Sequence, residues 1–201
     1  MATPDLGDRS VAPSHTAPSA HDIAPLEIRA LTRADAHWHL EGLADLLLDG
    51  VHAGASLGYL LPLSRQEACR DWEGVQQALS DTELLWIARR DERLLGCVRL
   101  RLEAAAGDRH RATIERLVVN SRHRRQGIAT ALLDAVEREA AERALRLLVA
   151  DVETDSAASR ALCRLGWQSA GTIPGYVVAP DGTPRDAARL FKCLGMVGTS
   201  T

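Results

Sequence analysis

Val119-Asn120-Ser121-Arg122-His123-Arg124-Arg125-Gln126-Gly127-Ile128-Ala129-Thr130 decides how this chain reads. It follows the apolar run Leu117-Val118-Val119, which fits the end of a strand, and is itself a basic turn. It leads into Ile128, Ala131, Leu132, Ala135 and Val136, an apolar stripe at three- and four-residue steps. Asp134, Glu137, Arg138 and Glu142 lie off that stripe. The spacing predicts a helix over residues 127–143. A strand, a basic turn and a helix opening on glycine together make an anion site. First-turn N–H groups have no helical partner, and the helix dipole is positive at that end. Gly127 puts no side chain between the backbone and a phosphate, and Ala129 is nearly as small. Arg122, Arg124 and Arg125 add charge beside it. A bland alternative also fits: three arginines on a solvated loop. The stretch alone leaves both open.

Upstream, residues 111–119 read as a strand carrying Ile114, Leu117, Val118 and Val119. Val98, Leu100 and Leu102 alternate with Arg99 and Arg101, a half-buried strand, and residues 84–89 form an apolar run before a polar turn at 91–93. Ser64 with Glu67 has capping-box spacing and opens a helix to about Leu79. Before it, residues 50–63 form a Gly-rich connection with His52 and Tyr59. Leu40, Leu43, Leu47 and Val51 predict a helix over 33–50, preceded by a short strand at 26–32. Downstream, residues 145–150 read as a buried strand ending at Asp151. A helix over 154–165 is stopped by Gly166. Strands at about 168–173 and 185–194 flank the turn Pro180-Asp181-Gly182. The order β α α β β β α β α β β predicts an α/β fold, a mixed, mostly antiparallel central sheet flanked by helices. One domain over 26–195 accounts for it. Residues 1–25 hold four of the eight prolines without apolar periodicity and predict a disordered tail; residues 196–201 predict a flexible one.

Composition excludes several classes. The chain has 201 residues with a formal net charge of −3, so a broad basic face for nucleic acid is not expected. Four Trp, two Tyr and one Phe are too few for a base-stacking platform. No uncharged stretch reaches the ~18 residues of a membrane span. Asp5 and Asp8 stand where an export signal would be basic and then apolar, so a cytoplasmic protein is expected. Cys69, Cys97, Cys163 and Cys193 form no CxxC pair. They read as reduced thiols, mostly buried, with no metal site. Cys163 in particular reads as a buried or inert thiol. His37 and His39, two apart on a helix, do not face one way.

Arg124-Arg125-Gln126-Gly127-Ile128-Ala129 fits Arg/Gln-x-x-Gly-x-Gly/Ala at a set distance after Leu117-Val118-Val119. This resembles the acetyl-CoA pyrophosphate loop of the GNAT superfamily of N-acetyltransferases, and the element order resembles that acyl-CoA N-acyltransferase fold. Asp155-x-x-Ala158-x-x-Ala161-Leu162-x-x-Leu165-Gly166-Trp167 is similar to a second segment of the family. Gly54-Ala55-Ser56-Leu57-Gly58, Ile173-Pro174-Gly175-Tyr176, Pro180-Asp181-Gly182 and Phe191-Lys192 look closest to its tabtoxin-resistance branch.

The resemblance implies an enzyme using acetyl-CoA as co-substrate, bound where the fourth and fifth strands splay. Backbone N–H groups of Gln126, Gly127, Ile128, Ala129 and Thr130 would hold the pyrophosphate beside Arg124 and Arg125. Asp155 would belong to the cofactor side. Backbone groups at Leu117, Val118 and Val119 would pair with the pantetheine arm and polarise the thioester carbonyl. A small-molecule amine (antibiotic, toxin or amino-acid-like) would attack directly in a ternary complex after losing a proton to a base. Glu115 is the first choice of base: it lies two residues from Thr113, where the branch often carries a carboxylate, and shares its face on a regular strand. Asp151 is the second. Both also have a structural reading, as an arginine's partner or a backbone acceptor. Tyr59 and Tyr176 are candidate acceptor contacts. The family's usual proton-donating tyrosine falls on Leu162, which cannot donate. That departure, with Thr113, supports a competing expectation: a catalytically degenerate acyl-CoA-binding or sensing protein. Acetylation of a protein amine is a third. Similar proteins commonly form homodimers, and no feature here decides it.

Overall fold

The computed structural model describes residues 24–195. The expected tails lie outside these residues, save for 24 and 25. The elements run β1 (Glu27–Ala30), α1 (Arg33–His52), α2 (Arg65–Ala78), β2 (Glu83–Arg90), β3 (Arg93–Leu102), β4 (Arg111–Val119), α3 (Ile128–Glu142), β5 (Leu147–Glu153), α4 (Ala157–Arg164), β6 (Gln168–Val178) and β7 (Pro184–Cys193). The order along the chain is the expected one. Seven strands form one sheet, β1-β2-β3-β4-β5-β7-β6, in which only the β4–β5 pair is parallel.

Both faces of β2 are covered, which explains its nearly continuous apolar run. Leu85 and Ile87 face α1 and α2, packing with Leu43, Leu47, Trp72, Cys97 and Val118. Trp86 and Ala88 face the other way, packing with Val98, Leu100, Ile114, Leu132, Leu148 and Leu162. Gly96 lets β3 sit tight against α3. A Cβ there would stand 2.9 Å from the Val118 carbonyl oxygen and 3.1 Å from an Ile128 methyl carbon.

Three of the four helices open on side-chain caps. Thr32 and Ser64 each form a capping box, with Asp35 and Glu67, and Ser156 caps α4 through the Ser159 amide. The capping of Ser156 starts α4 at Ala157, three residues later than the period suggested. Accordingly β5 runs on to Glu153, so Asp151 lies inside a strand and not at its end. β6 extends to Val178 through Pro174 and Gly175. It can do so as an edge strand, with a register shift against β7 between Ile173 and Val177.

The expectation of mostly buried cysteines needs correcting. Cys97 is buried and Cys69 half-buried, but Cys163 and Cys193 are exposed, lying at the ends of α4 and β7. Burial pushes the Cys97 thiol up to about 12. Iodoacetamide at neutral pH should therefore label Cys163 and Cys193 and spare Cys97 until the chain unfolds. Peptide mass spectrometry reads this directly. Among the described residues, no helix is long and apolar enough to cross a membrane. No group of three or more His, Cys, Asp or Glu among them could hold a metal ion.

Candidate active site

β4 and β5 pair only at Arg111↔Leu147, Ala112↔Leu148 and Thr113↔Val149. Beyond those rungs they diverge, and a cleft of about 970 Å³ opens between them. One wall is the far half of β4. Opposite it stand the end of β5 and the start of α4. The α1–α2 connection and the α3 N-terminus close the cleft on its other sides. Toward β3, β4 is bulged: Arg99 pairs with Glu115 and Cys97 with Val118, leaving Arg116 and Leu117 opposite Val98 alone. Arg116 has φ of +51°, unusual for a residue with a side chain. Past Thr113, β4 has no strand partner on its β5 side. Leu117, Val118 and Val119 line the cleft there.

The basic turn after β4 is tethered to the core. Asn120 donates its amide to the Leu95 carbonyl, and its side chain accepts from the Arg122 amide at 3.1 Å. Asp49 of α1 accepts the Ser121 amide and hydroxyl at 2.6 and 2.7 Å. The chain then reverses through two left-handed residues, Arg125 (φ +61°) and Gly127 (φ +78°). α3, unlike the other three helices, has no side-chain cap on its first amides. The Gly127 carbonyl receives the Ala131 amide, the first bond of the helix. Amides of the first turn thus face the cleft free of protein caps, the geometry that suits an anion. Arg124, Arg125, Gly127, Ile128, Ala129 and Thr130 line this end, and Asp155 also lines the cleft. Gln126 does not; its side-chain Oε1 accepts from Arg90 at 3.0 Å. The expected diphosphate-carrying cofactor fits this donor set.

The two candidate bases both line the cleft, and both hold arginines. β4 is regular as far as Glu115, which therefore shares a face with Thr113. Its Oε1 accepts from Arg101 at 3.0 Å, and its Oε2 lies 3.3 Å from Arg99. Arg99 is itself committed to Glu83 at 2.6 Å. Asp151 is gripped by Arg189, whose Nε donates to Oδ1 at 2.8 Å and Nη2 to Oδ2 at 2.7 Å. Tyr176, 53% exposed, stands at the rim. Tyr59 lies outside the lining: its ring is 5.9 Å from the Arg116 guanidinium. It packs beneath the β4 bulge.

A family model for the acetyltransferase (GNAT) family matches residues 55–167. The chain belongs to the GNAT acetyltransferase family. An uncharacterized N-acetyltransferase in the hisH-hisA intergenic region of Azospirillum brasilense is 30% identical over 151 residues, covering 74% of this chain and 86% of that protein. The crystal structure of a ribosomal-protein-alanine N-acetyltransferase from Brucella melitensis is 25% identical, with a TM-score of 0.67 over 84% of this chain and 99% of that one. The structure of yncA from Salmonella typhimurium, solved with its cofactor acetyl-CoA, is 18% identical with a TM-score of 0.66, covering 87% and 96%. The chain is therefore an N-acetyltransferase of GNAT type that uses acetyl-CoA.

In this acetyltransferase Leu162, on α4, lines the cleft yet is 1% exposed and packs into the core. It supplies no hydroxyl. Several cleft residues escaped the sequence reading. Ser56 donates to Glu153 Oε2 at 2.6 Å, joining the α1–α2 connection to the end of β5. Arg101, Arg160 and Arg164 also line the cleft, and Arg160 donates to the Asp155 carbonyl. Ser56 and Glu153 are 97 positions apart, so no local pattern could pair them. Arg160 and Arg164 had a signal: they sit four apart on α4, inside the quoted Asp155 segment.

Proposed function

We propose that this acetyltransferase moves the acetyl group of acetyl-CoA to a primary amine of a small molecule, by direct attack in a ternary complex. The Ser56–Glu153 hydrogen bond carries this reading. It ties together two walls of the cleft, leaving less room for an extended peptide than an untied groove would. On this reading, residues 126–130 hold the pyrophosphate through backbone amides, with Arg124, Arg125 and Asp155 around it. Backbone groups of residues 117–119 lie along the pantetheine arm and the thioester. Glu115 takes the acceptor's proton, with Asp151 as the second choice, and Tyr176 touches the acceptor. Without a hydroxyl at Leu162, the leaving thiolate takes its proton from solvent. This step is tolerable for a thiol of ordinary pKa, about 8–9. The placement in the tabtoxin-resistance branch is part of the same proposal and rests on the motifs from Gly54 to Lys192.

A thiol-release assay tests it, with small mono- and diamines, amino acids and a peptide with an N-terminal alanine, from about pH 6 to 9. Turnover is expected with one or more of the small amines. Turnover on the peptide alone would overturn the small-molecule assignment. So would acetyl-CoA binding with no turnover on any amine.

A further inference from the structure

The bulge of β4 leaves Arg116 at φ +51° with its guanidinium turned away from solvent, at 20% side-chain exposure. Left-handed backbone is costly for a residue with a Cβ and persists only where its surroundings hold it. Here the hold is specific. Both arms of Arg116 donate to Asp71 of α2, Nη1 to Oδ2 at 2.6 Å and Nη2 to Oδ1 at 2.9 Å. The same guanidinium lies 5.3 Å from the Trp72 ring centroid and 5.9 Å from that of Tyr59, within cation–π range of both. Trp72 is 1% exposed, so this face of the cluster is fixed by the core. From the other side, the Arg116 carbonyl oxygen receives the Cys97 thiol at 3.7 Å. Burial works against the Arg116 charge, but bonding to Tyr59 and the charge of Asp71 outweigh it, and the guanidinium is held more firmly protonated than usual. Past Thr113 β4 has no β5 partner, and Arg116 lies in this cleft-lining stretch, immediately before Leu117, Val118 and Val119.

We infer that Arg116 is a positioning residue for acetyl transfer: clamped by Asp71, Trp72 and Tyr59, it sets the bulge that aims the backbone of residues 117–119 at the thioester. This rests on the reading that the thioester lies along those residues, and not on the identity of the acceptor. The fork geometry matters. Bidentate pairing with Asp71 fixes the guanidinium's rotation as well as its position, which a lysine ammonium could not do. The clamp reaches the bulge from α2, on the opposite side of β4 from the pyrophosphate loop. Loosening it should therefore weaken carbonyl polarisation and leave nucleotide affinity nearly intact.

The test needs no acceptor. Acetyl-CoA carrying carbon-13 in its carbonyl is bound to the full chain, and the thioester stretch is read by difference infrared spectroscopy. Calorimetry on the same samples gives the Kd. In the unaltered protein the stretch should fall below that of free acetyl-CoA. Arg116→Gln and the nearly isosteric Asp71→Asn should lose about half of that shift or more while Kd changes by less than about threefold. Arg116→Lys should recover only part of it. Where Arg116→Gln does not fold, Asp71→Asn decides alone. A full shift in a folded Asp71→Asn variant would overturn the inference. Polarisation and affinity lost together would also overturn it, by making the cluster structural support only. Absence of any shift in the unaltered protein would remove its premise. None of these outcomes depends on an amine, so the small-molecule assignment stands or falls separately.

Discussion

Gly127→Val should weaken acetyl-CoA binding by about 10- to 150-fold in calorimetry, the loss of one hydrogen bond to the diphosphate, while its backbone strain falls on stability. Gly127 holds φ +78° at the start of α3. A side chain in left-handed backbone costs roughly 1–2 kcal/mol, and a β-branched one is the worst case. Beyond its own chain neighbours, no atom of the described residues lies within 4 Å of where a Cβ would stand, so the fold itself has room for one. The crowding is with the ligand: the new side chain would stand beside the uncapped amides proposed to hold the diphosphate. Each lost hydrogen bond to a charged group removes about 1.5–3 kcal/mol. Strain of this size lowers the melting temperature by only about 2–8 °C in a chain of this length, so a folded protein with a damaged nucleotide site is expected. Gly127→Ala should fall between. Affinity unchanged in Gly127→Val would move the diphosphate away from this turn.

Glu115→Gln should lower kcat/KM by about 10²- to 10⁴-fold, the usual contribution of a general base, with the acetyl-CoA Kd unaltered. Glu115 is favoured over Asp151 by the grip on each. Both oxygens of Asp151 are engaged at 2.8 and 2.7 Å by one arginine, while one oxygen of Glu115 has only a 3.3 Å contact. The looser oxygen is the freer to accept a proton from an ammonium. Asp151→Asn should accordingly cost less. Comparing the pH dependence of turnover in the two variants assigns the base, because removing the true base changes that profile and removing a bystander does not. Should Asp151→Asn abolish turnover and Glu115→Gln leave it intact, the roles are exchanged.

Much of this architecture could be read locally. Ser64 with Glu67, the stripe from Ile128 to Val136, and the alternation around Arg99 and Arg101 each follow from interactions within a few residues. Physics of that range sets helix starts and strand faces, so the order of eleven elements was legible. What escaped was set by distance. The Arg116 clamp joins residues 45 apart, and the tie from Ser56 to Glu153 joins residues 97 apart. The contact of Tyr59 with Arg116 beneath the β4 bulge likewise joins residues distant in sequence. The late start of α4 could have been drawn from Ser156, a good cap three residues before Ser159. Cys163 lies on the outer face of α4, which the single buried stripe through Leu162 does not reveal by itself. The bulge at Arg116 had no glycine to announce it, since the conformation is enforced by partners and not allowed by the residue.

The three rungs between Arg111–Thr113 and Leu147–Val149 are the shortest ladder in the sheet. They make the molecule resemble two leaves bound along a brief spine: β1 to β4 on one side, β5 to β7 on the other. A guest touching both leaves then adds the crosslinks that the spine lacks. Held as we propose, the nucleotide would be a structural member as well as a reactant. By mass action, a site filled at a hundred times its Kd steadies the whole fold by about 2.7 kcal/mol.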